Sequence, residues 1–138
     1  MTPTILVDTN VLLDLFTQNN DWAQWSESQL KEHSKSYQLA INPFIYSETS
    51  VAFESVEDLD QVLESLKISV VELSRPALFL AAQAHVHYRK QGGVRAKILT
   101  DFFIGAHAAA AEMPVITRDD RRYRSYFPDV TVISPPRH

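Results

Sequence analysis

Short apolar runs rich in β-branched residues alternate along this chain with longer stretches of helical spacing, and that alternation leaves few folds open. Residues 4–8 form the first run, and 37–41, 69–73, 114–117 and 130–133 form the others. Between the first two lie a helix marked by Val11, Leu12 and Leu15 and a second over 21–36 with Trp22, Trp25 and Leu30 as its apolar members. Pro43 suits the first turn of a helix carrying Phe44, Ile45, Glu48 and Val51 to about residue 53. Leu59, Val62, Leu63 and Leu66 mark a further helix over 56–66. A long helix over 75–91 stops at Gly92 and Gly93, and Thr100 caps an alanine-rich helix reaching residue 111. Strands joined through helices pair parallel, so the expected architecture is an α/β sandwich around a mainly parallel sheet of about five strands.

The 138 residues, 45% of them hydrophobic, suit one domain spanning 1–138 with a core of ordinary size. The absence of cysteine excludes disulfide frameworks and thiolate metal sites, and it fits a reducing compartment. The beginning, MTPTILVD, has neither the basic nor the apolar segment of a secretory signal, and no apolar run nears the roughly 20 residues that span a bilayer. A soluble, cytoplasmic protein without membrane attachment is therefore expected. Its formal charge of -4 is unevenly spread: residues 1–88 hold four basic side chains against twelve acidic ones, and the remainder nine against five. A basic strip near the C-terminal end suits a nucleic-acid partner, and it equally suits solvated helix faces.

Four acids could meet in one cleft. Asp8 closes the first apolar run, and Asp119 follows the fourth by two residues. Asp101 stands in the first turn of its helix, where the dipole favours an anion, and Glu48 lies among Phe44, Ile45 and Val51. In open parallel sheets, sites form beyond the carboxyl ends of the strands. Gathered carboxylates either take up protons or hold a cation, and oxygen-only ligands select Mg²⁺ or Mn²⁺. Such an ion suits hydrolysis of a phosphodiester. Singly, each acid also fits a plain role, because Asp after a strand commonly caps a helix and Glu on a helix is usually solvated. Asp120 competes with Asp119 and is read as a solvent-exposed alternative. His33, His85, His87, His107 and His138 lack metal-ligand or nuclease spacing, which leaves them packing or surface roles.

The segments LVDTNVLLDLF, the SE of the third helix, LTDFFIGAHA and VITRDDRRYRSYFPDVTVISP together resemble a PIN domain, and most of all the VapC-type toxins. The resemblance spans nearly the whole chain and implies a PIN-like α/β/α sandwich that cleaves RNA with Mg²⁺ or Mn²⁺. It assigns Asp8 of DTN, Glu48 of YSE, Asp101 of LTD and Asp119 of TRD as the metal-binding catalytic acids, and Asn10 and Thr117 as polar residues that orient them. Arg118, Arg121, Arg122 and Arg124, interleaved with Tyr123 and Tyr126, could hold RNA phosphates and stack bases, and Arg95 and Lys97 could assist. The tyrosines fit packing equally well. As partners the resemblance implies an RNA substrate, a cognate antitoxin whose helix enters a groove of the early helices near Trp22, Trp25 and Tyr37, and a second copy in a homodimer. Two other readings stay open: an RNA-processing PIN nuclease without antitoxin, and a catalytically silent scaffold.

Overall fold

A computed structural model describes residues 2–19, 21–94 and 98–136. Five strands build one sheet: β1 (Thr4–Val7), β2 (Gln38–Ile41), β3 (Ile68–Val70), β4 (Val115–Ile116) and β5 (Val132–Ile133). All four pairings are parallel, and the spatial order is β3-β2-β1-β4-β5. Around it lie α1 (Thr9–Phe16), α2 (Ala23–Ser34), α3 (Pro43–Thr49), α4 (Val56–Ser65), α5 (Arg75–Lys90), α6 (Ile98–Ala111) and α7 (Arg121–Tyr126). With right-handed crossovers, the helices between β1 and β3 and those between β3 and β5 fall on opposite faces, which makes the expected α/β/α sandwich.

The central strand accounts for the core. Ile5, Leu6 and Val7 of β1 are fully buried, as a parallel strand covered on both faces requires. Leu39, Ile41, Val115 and Ile116 from the neighbouring strands join Val11, Leu12, Ile45, Leu59 and Leu63 in one apolar cluster. Truncating Leu6 to Ala in such a setting costs about 2–5 kcal/mol. A second cluster of Ala81, Tyr88, Phe102, Ala106 and Phe127 joins α5 and α6 to the end of α7. Gly105 permits it, because a Cβ there would stand 2.4 Å from the Phe127 ring.

Helix starts follow local capping chemistry. Asn42 accepts from the Ile45 amide at 2.9 Å ahead of Pro43, Ser55 from Asp58 at 3.1 Å and Ser74 from Ala77 at 3.2 Å. Several boundaries differ from the sequence reading. The third helix ends at Thr49 and passes into a 3-10 turn over Ser50–Ala52, and the third strand occupies Ile68–Val70 rather than 69–73. The alanine-rich helix starts at Ile98, so Thr100 lies inside it and does not cap it. Helix α7 was not anticipated at all, since its six residues RRYRSY show no apolar period.

Two consequences position a site. The chain leaves β1 toward β2 on one side, whereas β4 returns on the other, so the carboxyl ends of β1 and β4 flank the point where strand order reverses. Asp8 follows the first of those ends directly, and Asp119 follows the second after Thr117 and Arg118.

Candidate active site

Asp8 is buried and its carboxylate is held by three donors. The Thr9 amide donates to Oδ1 at 2.7 Å, and Oδ2 accepts from Thr117 Oγ1 at 2.8 Å and from Tyr123 OH at 3.0 Å. Thr117 is oriented in turn. The Asn10 amide group and the Asp119 backbone N–H both donate to its oxygen at 3.2 Å, and its single proton has Asp8 Oδ2 at 2.8 Å as a nearer acceptor than the Asp119 carbonyl at 3.2 Å. The Asn10 carbonyl oxygen accepts from the Arg118 backbone N–H at 3.0 Å. Of the two polar residues expected beside the acids, Thr117 thus touches Asp8 and Asn10 touches Thr117. Burial raises the Asp8 carboxyl above its ordinary range, with the Glu48 charge adding to the effect, although the hydrogen bonds of Thr117, Tyr123 and Thr9 oppose it.

Glu48, half-buried on α3, accepts from Thr9 Oγ1 at 2.6 Å, and this joins the start of α1 to α3. Asp101 occupies the first turn of α6. Tyr123 reports on the whole group. Its buried hydroxyl is pushed well up, first by desolvation and then by the charges of Asp8, Asp101 and Glu48. Three of the four expected acids thus share one electrostatic neighbourhood. They do not form a closed cage: among the described residues, no three His, Cys, Asp or Glu side chains already stand at metal-gripping spacing.

Asp119 behaves differently. Its side chain is 47% exposed and lies in the fork of Arg121, whose Nε and Nη2 donate at 2.9 and 2.7 Å. Arg121 holds this carboxyl below the ordinary range. Asp120, expected to face solvent, is instead buried at 6% exposure, because it starts α7 with its carboxylate turned onto Arg124 Nε at 2.6 Å. The other arginines are engaged as well. Arg118 makes a two-point pair with buried Asp14 at 2.7 and 2.9 Å and stands 5.4 Å from the Trp22 ring, while Arg122 lies 5.5 Å from the Tyr88 ring. Arg95, Lys97 and His138 fall outside the described residues.

The sequence profile of the PIN domain matches residues 5–128. The chain belongs to the PIN domain family. Solved structures share the fold of this PIN domain at low identity. A chain of VapBC2 from Rickettsia felis, bound to a DNA fragment from its promoter, is 16% identical with a TM-score of 0.73, covering 96% of this chain and 99% of the other. A chain of a toxin-antitoxin complex from Klebsiella pneumoniae is 20% identical at 0.69, covering 98% and 100%. VapBC-1 from nontypeable Haemophilus influenzae gives 16% and 0.71, covering 95% and 97%. No curated protein matches the chain by sequence.

Within this PIN domain, Tyr123 is the site residue that sequence reasoning missed. Its place in an arginine-rich segment suggested RNA contact or packing, and no local signal placed its hydroxyl on Asp8 across 115 positions. Thr9 was missed too, although its spacing to Asp8 was open to view. The remaining chemistry fits a hard dication. The donors of Asp8, Glu48 and Asp101 are all oxygen, and the raised Asp8 carboxyl marks a buried spot short of positive charge. Trp22 and Trp25, half-buried and edge-to-face at 6.5 Å, lie at the start of α2, with Trp22 facing the Arg118 guanidinium. His107 is buried and bonded to Asn42 at 3.3 Å, so it supports the α3 cap, in keeping with a packing role.

Proposed function

We propose that this PIN domain is a divalent-metal-dependent endoribonuclease acting as the toxin of a toxin-antitoxin pair. The observation that carries the reading is that Thr9 joins buried Asp8 to Glu48 beside the carboxyl end of β1, at the strand-order reversal of a PIN fold, with Asp101 in the first turn of α6. Asp8, Glu48, Asp101 and Asp119 would hold Mg²⁺ or Mn²⁺. Bound there, the ion supplies a polarised phosphoryl oxygen, an activated water and neutralisation of developing charge. Thr117 and Asn10 fix the Asp8 carboxylate. Arg118, Arg121 and Arg122 edge the same end of the sheet, where their guanidinium groups suit RNA phosphates. The neighbours solved as toxin-antitoxin complexes support an antitoxin partner, and the half-buried Trp22 and Trp25 at the start of α2 would offer its helix apolar contact. A homodimer belongs to the same reading. No helix among the described residues is long and apolar enough to cross a membrane, and an RNA substrate suits the cytoplasm.

The test is digestion of a mixed cellular RNA pool in EDTA, Mg²⁺ or Mn²⁺, with Asp8→Asn as control. Discrete products that need metal and are absent with the variant support the reading, and full activity in the variant removes the assigned site. Growth arrest on expression, relieved by a small neighbouring protein, separates a toxin from an RNA-processing PIN nuclease. The Arg121–Asp119 pair favours one further reading, a silent scaffold in which the fourth acid is neutralised internally. Absence of metal binding in calorimetry would favour it.

A further inference from the structure

A carboxylate offers about four lone-pair positions on its two oxygens. On Asp8 the chain itself fills three of them: Thr9 N takes one on Oδ1, while Thr117 Oγ1 and Tyr123 OH take both on Oδ2. One position remains, on Oδ1. The Tyr123 hydroxyl has little freedom to leave. The residue is only 4% exposed and packs in the main apolar cluster, and α7 is anchored behind it by Phe127 seated against Gly105.

We propose that Tyr123 is a positioning residue whose hydroxyl, with Thr117, closes Oδ2 of Asp8 so that this carboxylate offers a divalent cation Oδ1 alone. The inference rests on the metal-dependent reading above and assigns to that site a residue outside the four acids. A carboxylate held this way cannot turn to a two-oxygen grip without breaking two hydrogen bonds, one from the end of β4 and one from α7. The packing of α7 therefore sets the ligand geometry at the end of β1.

Calorimetric titration of Mn²⁺ into metal-stripped protein tests this without any activity measurement. The comparison is between wild type, Tyr123→Phe, which keeps the ring and deletes only the hydroxyl, and Tyr46→Phe, which removes a remote tyrosine bond to Asp60. Loss of an outer hydrogen-bond partner weakens metal binding about 10–100-fold, and that range is expected for Tyr123→Phe, with Tyr46→Phe unchanged. Thermal unfolding of the stripped proteins checks the fold. Should Tyr123→Phe not fold, 3-fluorotyrosine at position 123 retains the hydroxyl, and its fluorine resonance is expected to move on saturation with Mg²⁺. Mn²⁺ affinity in Tyr123→Phe equal to that of a wild type that binds, or an unmoved fluorine resonance, overturns the positioning role and leaves the metal reading standing. A wild type that binds no Mn²⁺ overturns both.

Discussion

Asp8 and Asp119 leave neighbouring parallel strands at the same end of the sheet, yet their carboxylates are handled in opposite ways. Asp8 is buried, held by two side chains and a backbone amide, and raised above the ordinary carboxyl range. Asp119 is half in solvent, gripped by a single arginine that is itself 77% exposed, and lowered below that range. The difference shows what each can contribute. A buried carboxylate fixed by neutral donors keeps a shortage of positive charge that a cation relieves, whereas a surface carboxylate with its own guanidinium takes a cation only by giving up that pair.

The contrast breaks most sharply on the Asp8 side. Asp8→Asn should reduce RNA cleavage beyond the roughly 10–100-fold typical of losing an outer hydrogen-bond partner, because it removes a ligand charge outright. Initial rates in Mg²⁺ check it. Thr117→Val, which keeps the shape and deletes the hydroxyl, should lower metal affinity within that roughly 10–100-fold range and cost about 1–3 kcal/mol in urea unfolding, since a buried oxygen loses its donor.

The two carboxyls should also answer pH with opposite signs. A raised folded-state pKa at Asp8 means that its contribution is present below the ordinary carboxyl value and is lost as pH rises through the raised one. For metal-free protein, the thermal stability of Asp8→Asn relative to wild type should therefore improve as pH climbs from about 4 to neutrality. Asp119 is lowered, so its contribution is present above the ordinary value and fades as pH falls through the lowered one. Any advantage of wild type over Asp119→Asn should vanish in acid. Parallel melts of the three proteins across pH would show both trends or refute them.

The smallest effect belongs to Arg121. Arg121→Ala should leave the fold intact and lower the slope of log RNA affinity against log salt by about 0.7 for each phosphate that the guanidinium had neutralised. Fluorescence anisotropy across a salt series reads that slope, and an unchanged slope would confine Arg121 to Asp119.

What was legible in the sequence follows the same divide. Asp8 and Asp119 could be read as neighbours because strand ends are local patterns and a parallel sheet brings such ends together, whereas Asn10 and Thr117 came only with the resemblance to the PIN family. Glu48 and Asp101 could be assigned by motif because each sits on a helix of clear spacing. Tyr123 could not, since α7 is too short to show a period and the hydrogen bond spans distant segments. Asp120 was misjudged because adjacent acids look alike until the start of α7 turns one inward and leaves the other out. The same limit hid the pairing of Arg118 with Asp14, which lies 104 positions away. A basic cluster read along the chain suggests free cations, and only the fold reveals which of them already hold an internal acid.

A cation at the end of β1 is what the nuclease reading requires. Crystals grown with Mn²⁺ and measured for anomalous scattering locate the ion directly. The expected peak is bonded to Oδ1 of Asp8, with Asp101 and Glu48 around it. A peak elsewhere with Asp8 still bonded only to Thr9, Thr117 and Tyr123, or no peak at saturating Mn²⁺, would contradict it.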